Sequence, residues 1–267
     1  YDLIPLLNPE AYLHGNKAFN ADYGSRLVHL RRADGLLAIS QFAAGEAAEY
    51  LDYAEEQIGV ATLGPLLSKP RDAGREGDAL TALTAVDLAP GFLLYVGGSD
   101  PRKNLPRLVE AWCALPEALQ KEHPLVMAGS MPRQDVLNLK SIAATKSAAP
   151  AQLRFLGQIS DALLGHLYTA CAAFVFPSWH EGFGLPALEA MAKGAPVIAA
   201  NTSSLPEVVG LEDALFDPFD VADLTERLTR VLTDPAYVAR LRAHAPQQAA
   251  KFSWQNTARD ALNFFER

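Results

Sequence analysis

From Phe92 onward, short apolar runs alternate with amphipathic stretches. That pattern fits a parallel α/β sheet with helices on both faces better than any other fold class. The runs occupy 92–96, 125–128, 153–156, 174–176, 197–199 and 215–216, with helical patterns at 105–119, 133–146 and 161–170 between them. Strands that are apolar on both sides need cover on both sides, and crossover helices supply it. Ligands of such sheets bind beyond the carboxyl ends of the strands. Each chemically loaded segment described below follows directly on one of those ends.

The chain has 267 residues, 49% of them hydrophobic, enough for a sizeable core. Its net charge of −8 ranks nucleic acid low among partners. Peripheral membrane contact stays open through Arg26, Arg31 and Arg32, although an exposed helix face explains them more simply. No apolar run is long enough to predict a transmembrane helix. The first residue is Tyr1 and no signal peptide is visible. Cys113 and Cys171 lie in apolar helical patterns and read as buried thiols of a reducing, cytoplasmic compartment.

The first 65 residues read differently. Residues 2–7 lead to Pro9 and Glu10, a helical stretch covers 23–32, and an apolar strand at 35–39 ends in Ser40. Ser40 is placed to cap the next helix. A further short strand is expected at 60–63. Residues 68–90 are rich in Ala, Gly, Asp, Arg and Pro without clear periodicity, and read as a mobile linker. Helices are expected over 223–232, 237–249 and 254–265.

The first strand of the C-terminal series runs into Gly97 and Gly98, then Ser99-Asp100-Pro101-Arg102-Lys103-Asn104 and a helix. Glycines at a strand end let the backbone approach a ligand. Asn104 is a candidate N-cap. Two cations thus stand beside a helix N-terminus, where anions are already favoured. Each charge-assisted hydrogen bond to a diphosphate there is worth about 1.5–3 kcal/mol. The spacing fits neither a Walker loop nor the dinucleotide fingerprint.

Residues 174–210 carry the strongest signal. A strand ends near Phe176, a loop runs through Glu181, Gly182, Phe183 and Gly184, and a helix spans 185–193 with Glu189 inside it. Gly194 stops the helix and Pro196 starts the next strand. Glu181 and Glu189 can therefore face one cleft from two elements. An ionised carboxylate only accepts hydrogen bonds, and its two oxygens suit a vicinal diol. Gly182 and Gly184 leave backbone amides bare near a helix start.

The run from Glu181 to Ile198 closely resembles glycosyltransferase family 4, in which two glutamates bracket seven residues. Tyr95-Val96-Gly97, Pro101-Arg102-Lys103-Asn104-Leu105, Ser203-Ser204-Leu205-Pro206-Glu207 and the opening Asp2-Leu3-Ile4-Pro5-Leu6 are similar to its mannosyltransferase-like members. The resemblance implies a GT-B fold of two Rossmann-like domains. Residues 1–67 would be the end of an acceptor-binding domain truncated at its N-terminus, 68–90 the linker, 91–250 the donor domain and 251–267 a helix packing back.

It also implies a retaining hexosyltransferase of bacterial polysaccharide synthesis, at or near the inner membrane face. The donor is a nucleoside-diphosphate sugar: GDP-mannose first, a UDP- or dTDP-sugar next. The acceptor is a saccharide or a lipid-linked saccharide, and neither cofactor nor metal is required. Arg102 and Lys103 would neutralise the leaving diphosphate and Glu181 would contact the transferred sugar. Glu189 would hold the ribose, and Gln158 and Ile159 would lie by the base. Gly97, Gly98, Gly182, Phe183, Gly184 and Leu185 would complete the donor site. Two departures stand out: Gly98 where some members carry Arg, and Tyr1 where many carry His. A binding module without catalysis and a sugar-nucleotide epimerase of the same fold are the alternatives.

Overall fold

The computed structural model describes residues 2–66 and 76–266. The N-terminal part opens with two one-turn helices, α1 (Ile4–Leu7) and α2 (Pro9–Tyr12), then α3 (Lys17–Leu30). A parallel pair, β1 (Leu36–Ala38) and β2 (Ile58–Val60), flanks α4 (Gln41–Leu51), with Leu36 opposite Ile58 and Ala38 opposite Val60. Leu3, Ala47, Leu51 and Tyr53 make the small core of this part. Ser40 caps α4 as its sequence position predicts, accepting a hydrogen bond from the Ala43 amide at 2.9 Å.

The second part begins with α5 (Glu76–Thr84). Part of the stretch read as a linker is thus a helix, and residues 67–75 lie outside the described residues. Leu83 and Leu88 explain the difference, because both are buried in the main core. Two apolar anchors hold this segment although nine helical residues are too few to show a period. Then follow β3 (Leu93–Val96), α6 (Leu105–Cys113), α7 (Glu117–Glu122), β4 (Leu125–Ala128), α8 (Arg133–Lys146) and β5 (Leu153–Gly157). The helix expected over 105–119 is broken into α6 and α7 at Pro116, which cannot continue the backbone ladder. The chain continues through α9 (Asp161–Ala170), β6 (Ala173–Phe176), α10 (Leu185–Ala192), β7 (Val197–Ala200), α11 (Leu205–Val209) and β8 (Leu215–Phe216). It closes with α12 (Val221–Thr233), α13 (Pro235–Ala249) and α14 (Trp254–Phe265).

The six strands β3–β8 form one parallel sheet in the order β5-β4-β3-β6-β7-β8. The first three strands march one way and the last three the other, so the direction of winding reverses between β3 and β6. Helix α6 packs against both α8 and α12, while α9 meets α5 and α10 meets α13. These are the two covering layers of a doubly wound sheet. Strands β4, β6 and β7 are buried throughout, as their unbroken apolar runs require. In such sheets ligands bind beyond the carboxyl ends of the strands at the reversal, here β3 and β6, where the two motif-bearing loops begin. The last helix, α14, lies against β2 of the N-terminal part.

Cys113 and Cys171 are buried free thiols, and burial pushes them up to about 11 and about 12. Among the described residues no helix is long and apolar enough to cross a membrane.

Candidate functional site

Beyond β3 the backbone turns at Gly97 with φ +149°, where a Cβ would stand 2.6 Å from the Tyr95 hydroxyl. That hydroxyl donates to the Gly98 carbonyl at 2.7 Å and so shapes the loop from below. Residues Pro101–Lys103 form one 3-10 turn, capped by the Asp100 carboxylate, which accepts from the Arg102 amide at 3.1 Å. Asn104 stands at the N-cap position of α6, yet its side chain makes no cap. Its amide instead donates to the carbonyls of Pro177 at 3.1 Å and Pro218 at 2.7 Å. With φ +58° its side chain swings away from the helix and fastens the β3 loop to the loops after β6 and β8.

The β6 loop meets this turn directly. Trp179 donates its amide to the Arg102 carbonyl at 2.9 Å, and Arg102 Nη1 donates to the His180 carbonyl at 2.9 Å. Glu181 then takes both cations at once. Arg102 Nη1 lies 2.7 Å from Glu181 Oε2, and Lys103 Nζ lies 2.6 Å from Glu181 Oε1. Lys103 also stands over the Phe176 ring, 5.2 Å from its centre. Glu181 is 7% exposed. Burial pushes its carboxyl up, but Lys103 and Arg102 outweigh burial and hold it below the usual carboxylate range. Burial likewise opposes the Arg102 charge, and Glu181, together with Asp100 and Tyr12, more than restores it.

The loop itself is pinned from α11. The Ser203 hydroxyl accepts from the Glu181 amide at 3.0 Å, and the Ser204 hydroxyl lies 2.9 and 2.8 Å from the carbonyls of Glu181 and Phe183. Gly184 has φ +109°, and a Cβ there would come 2.7 Å from Leu205. Among the described residues, the amides of Gly182, Phe183 and Gly184 have no protein acceptor. The Phe183 ring is buried against Phe252.

Glu189 sits one turn into α10, 8% exposed. Its neighbours differ from those of Glu181: the Tyr168 hydroxyl of α9 donates to Oε2 at 3.4 Å. Burial raises its carboxyl to about 7. Asp161 adds to the rise, while Tyr168, the Leu66 amide and Lys193 oppose it. Gln158 and Ile159 follow β5 at the far edge of the sheet, Gln158 exposed and Ile159 packed partly on the core. Leu185 is the half-buried first residue of α10.

The N-terminal part reaches into the same loops. Ser40 donates to the Gly182 carbonyl at 2.7 Å, and Glu207 accepts from the Gln41 amide at 3.1 Å. A Cβ on Gly182 would meet Asp2 at 2.9 Å. The Tyr12 hydroxyl donates to Asp100 Oδ1. Glu46 Oε1 lies 2.9 Å from His180 Nε2, a contact in which the ring nitrogen is not aimed at the carboxylate.

Of the residues singled out in the sequence, Arg102, Lys103 and Glu181 are thus in direct contact. Gly97 and Gly98 lie beside them on the β3 loop, and Gly182, Phe183 and Gly184 continue the β6 loop. Glu189 stands on the next helix with partners of its own. Sequence reasoning missed the contacts of Tyr12, Glu46, Asp100, Tyr168 and His180. Ser203 and Ser204 were visible as part of a motif, but their anchoring of Glu181 was not.

The chain is matched from 84 to 251 by the family model described as glycosyl transferases group 1. It is 40% identical to the serotype-specific mannosyltransferase WbdA of Escherichia coli over 100% of its own length and 33% of that protein. It is 32% identical to the O-antigen chain mannosyltransferase B of Escherichia coli over 91% of its length and 64% of that protein. The chain therefore spans about a third of the length of the first of these relatives.

Among solved structures it superposes on Anabaena Alr3699/HepE, in complex with UDP and glucose, with a TM-score of 0.78 at 20% identity, covering 92% of this chain and 67% of that one. A glycosyltransferase from Rickettsia africae gives 0.75 at 18% identity, covering 94% and 67%. The fold is that of the GT-B glycosyltransferases. Two basic residues and a glutamate joined across the switch point of a parallel sheet, on a segment that this family model spans, lead to one assignment: the chain belongs to the glycosyl transferases of group 1.

Proposed function

We propose that this protein transfers a hexose from a nucleoside-diphosphate sugar to a saccharide or lipid-linked acceptor, with retention at the anomeric carbon. Mannose from GDP-mannose is the first choice, because both Escherichia coli relatives are named mannosyltransferases. A UDP- or dTDP-sugar comes next, and the HepE structure with UDP and glucose speaks for nucleotide-sugar binding in this fold. In this reading residues 91–250 bind the donor and 1–67 supply the acceptor side. The convergence of Arg102 and Lys103 on Glu181 carries the proposal.

As the bond to the anomeric carbon breaks, negative charge grows on the departing diphosphate. Fixed cations and amides placed where charge develops lower the barrier most, because they need no reorganisation. Arg102 and Lys103 are such cations, each held by its contacts before the reaction. The free amides at Gly182–Gly184 serve the sugar or phosphate oxygens. Glu181 is not assigned as a nucleophile: both its oxygens are engaged by cations and its basicity is depressed. It keeps the two cations in place and accepts from sugar hydroxyls. Glu189 accepts from the ribose diol.

Replacing Arg102 with Ala is the direct test. Turnover should fall about 10²–10³-fold, the scale for losing one preorganised oxyanion partner. Nucleotide affinity should change only a few-fold, as expected when an interaction matters chiefly in the transition state. Equal losses in turnover and affinity would reject the assignment.

A further inference from the structure

Arg102 is held from three sides, and two of its holders are themselves held by the N-terminal part. On one side Asp100 Oδ1 accepts from the Arg102 amide at 3.1 Å and lies 3.6 Å from its Nε. The same oxygen accepts a hydrogen bond from the hydroxyl of Tyr12, at the end of α2. On the other side the His180 carbonyl accepts from Arg102 Nη1. The His180 ring is gripped by α4 through two residues one turn apart. Phe42 meets it edge to face at 5.7 Å, and Glu46 Oε1 lies 2.9 Å from its Nε2. Ser40, the cap of this helix, holds the Gly182 carbonyl on the other flank of Glu181. The first turns of α4 are thus built around residues 180–182.

The Glu46 carboxylate is an expensive group for so small an interface. Glu46 is 7% exposed, and among the described residues its Oε2 has no hydrogen-bond partner. A buried acid with one free oxygen costs stability, so its contact with His180 is not explained by stability alone. The Tyr12 and Glu46 contacts both end on residues that touch Arg102, and on the proposed reading Arg102 must be held in place to meet a phosphate.

We propose that Tyr12 and Glu46 are positioning residues for sugar transfer, which fix Asp100 and His180 and through them the Arg102 guanidinium. The inference rests on the transfer reading given above. Neither residue touches the reacting atoms. Their effect is on the orientation of a cation that does, and it joins the two parts of the chain at the step where the diphosphate leaves.

Tyr12→Phe and Glu46→Ala each remove one tether. They are measured in the full-length protein with whichever of GDP-mannose, UDP-glucose and dTDP-glucose supports turnover. Each should lower kcat about tenfold, the value of one lost hydrogen-bond-scale contact. The dissociation constant of the matching nucleoside diphosphate should stay within about twofold. Glu46→Gln, which keeps an oxygen facing His180, should recover most of the loss.

The decisive arm repeats Tyr12→Phe and Glu46→Ala in an Arg102→Ala background, where positioning has nothing left to position and neither change should lower kcat further. Equal fold-losses in both backgrounds, or no loss in the parent, would overturn the inference. If Arg102→Ala alone leaves turnover intact, the transfer reading itself falls and takes this one with it.

Discussion

Glu181 and Glu189 are the same side chain in equally buried places, and their surroundings drive them in opposite directions. Two cations hold Glu181 ionised, whereas Glu189 has a hydroxyl, an amide and a distant Lys193 against burial and Asp161, and rises to about 7. Its unfolded value is the ordinary 4.5. Between pH 4.5 and about 7 the folded chain therefore binds more protons than the unfolded one. The contribution of Glu189 to stability is full below the lower value and declines as pH rises through the upper one. A ribose diol donates hydrogen bonds and so favours the ionised form. Nucleotide affinity should fall as pH drops below about 7, and binding at pH 7 should release protons. Calorimetry in buffers of different ionisation enthalpy checks this, with Glu189→Gln expected to bind more weakly and to lose the pH dependence. A pH-independent affinity in the parent would reject the ribose assignment.

At the scale of elements, α4 shows how one residue can serve a helix and a site together. The Ser40 oxygen accepts from the Ala43 amide while its proton goes to the Gly182 carbonyl. Ser40→Ala loses both, and unfolding by denaturant should show about 1–3 kcal/mol of destabilisation. Ser40→Asp keeps the capping oxygen but has no proton to donate when ionised, so it should restore the helix without restoring the tie to Gly182. Recovery of full stability and turnover in Ser40→Asp would mean the tie is idle. Some elements were plain in the sequence because their cause is local. Six apolar runs mark the strands, and a Ser just past a strand marks the cap. Asn104 was legible as a cap position but not in its role, because its partners Pro177 and Pro218 lie on loops after other strands.

The whole molecule is held together by contacts that no window of sequence contains. Phe264 of α14 fills the space over the β1–β2 pair, where a Cβ on Gly59 would come within 2.6 Å of its ring and one on Gly35 within 2.8 Å. Trp254 lies against Gly64, and the Thr257 hydroxyl donates to the Thr62 carbonyl. The three glycines leave room for the C-terminal helix to close on the N-terminal part. Phe264→Ala should loosen that closure at a cost of about 1–3 kcal/mol, less than for a fully buried ring. Hydrogen exchange is expected to quicken in α14 and β2 and not in β4 or β6. Uniform quickening throughout would show instead that α14 is part of one cooperative core.

By itself the sequence determined where the six strands of the main sheet are and which loops follow their carboxyl ends, since both rest on neighbours a few residues apart, whereas the short strand expected at 60–63 lies at Ile58–Val60. It also determined that one acid and two cations stand on those loops, with a second acid on the helix after one of them. Only the tertiary structure decided that Arg102 and Lys103 meet on Glu181 while Glu189 is left to Tyr168. It alone showed Tyr12 reaching Asp100, 88 residues away. The physical reason is that alternation and capping are properties of one segment, whereas the charge state and orientation of a buried side chain depend on what the rest of the chain brings within a few ångströms.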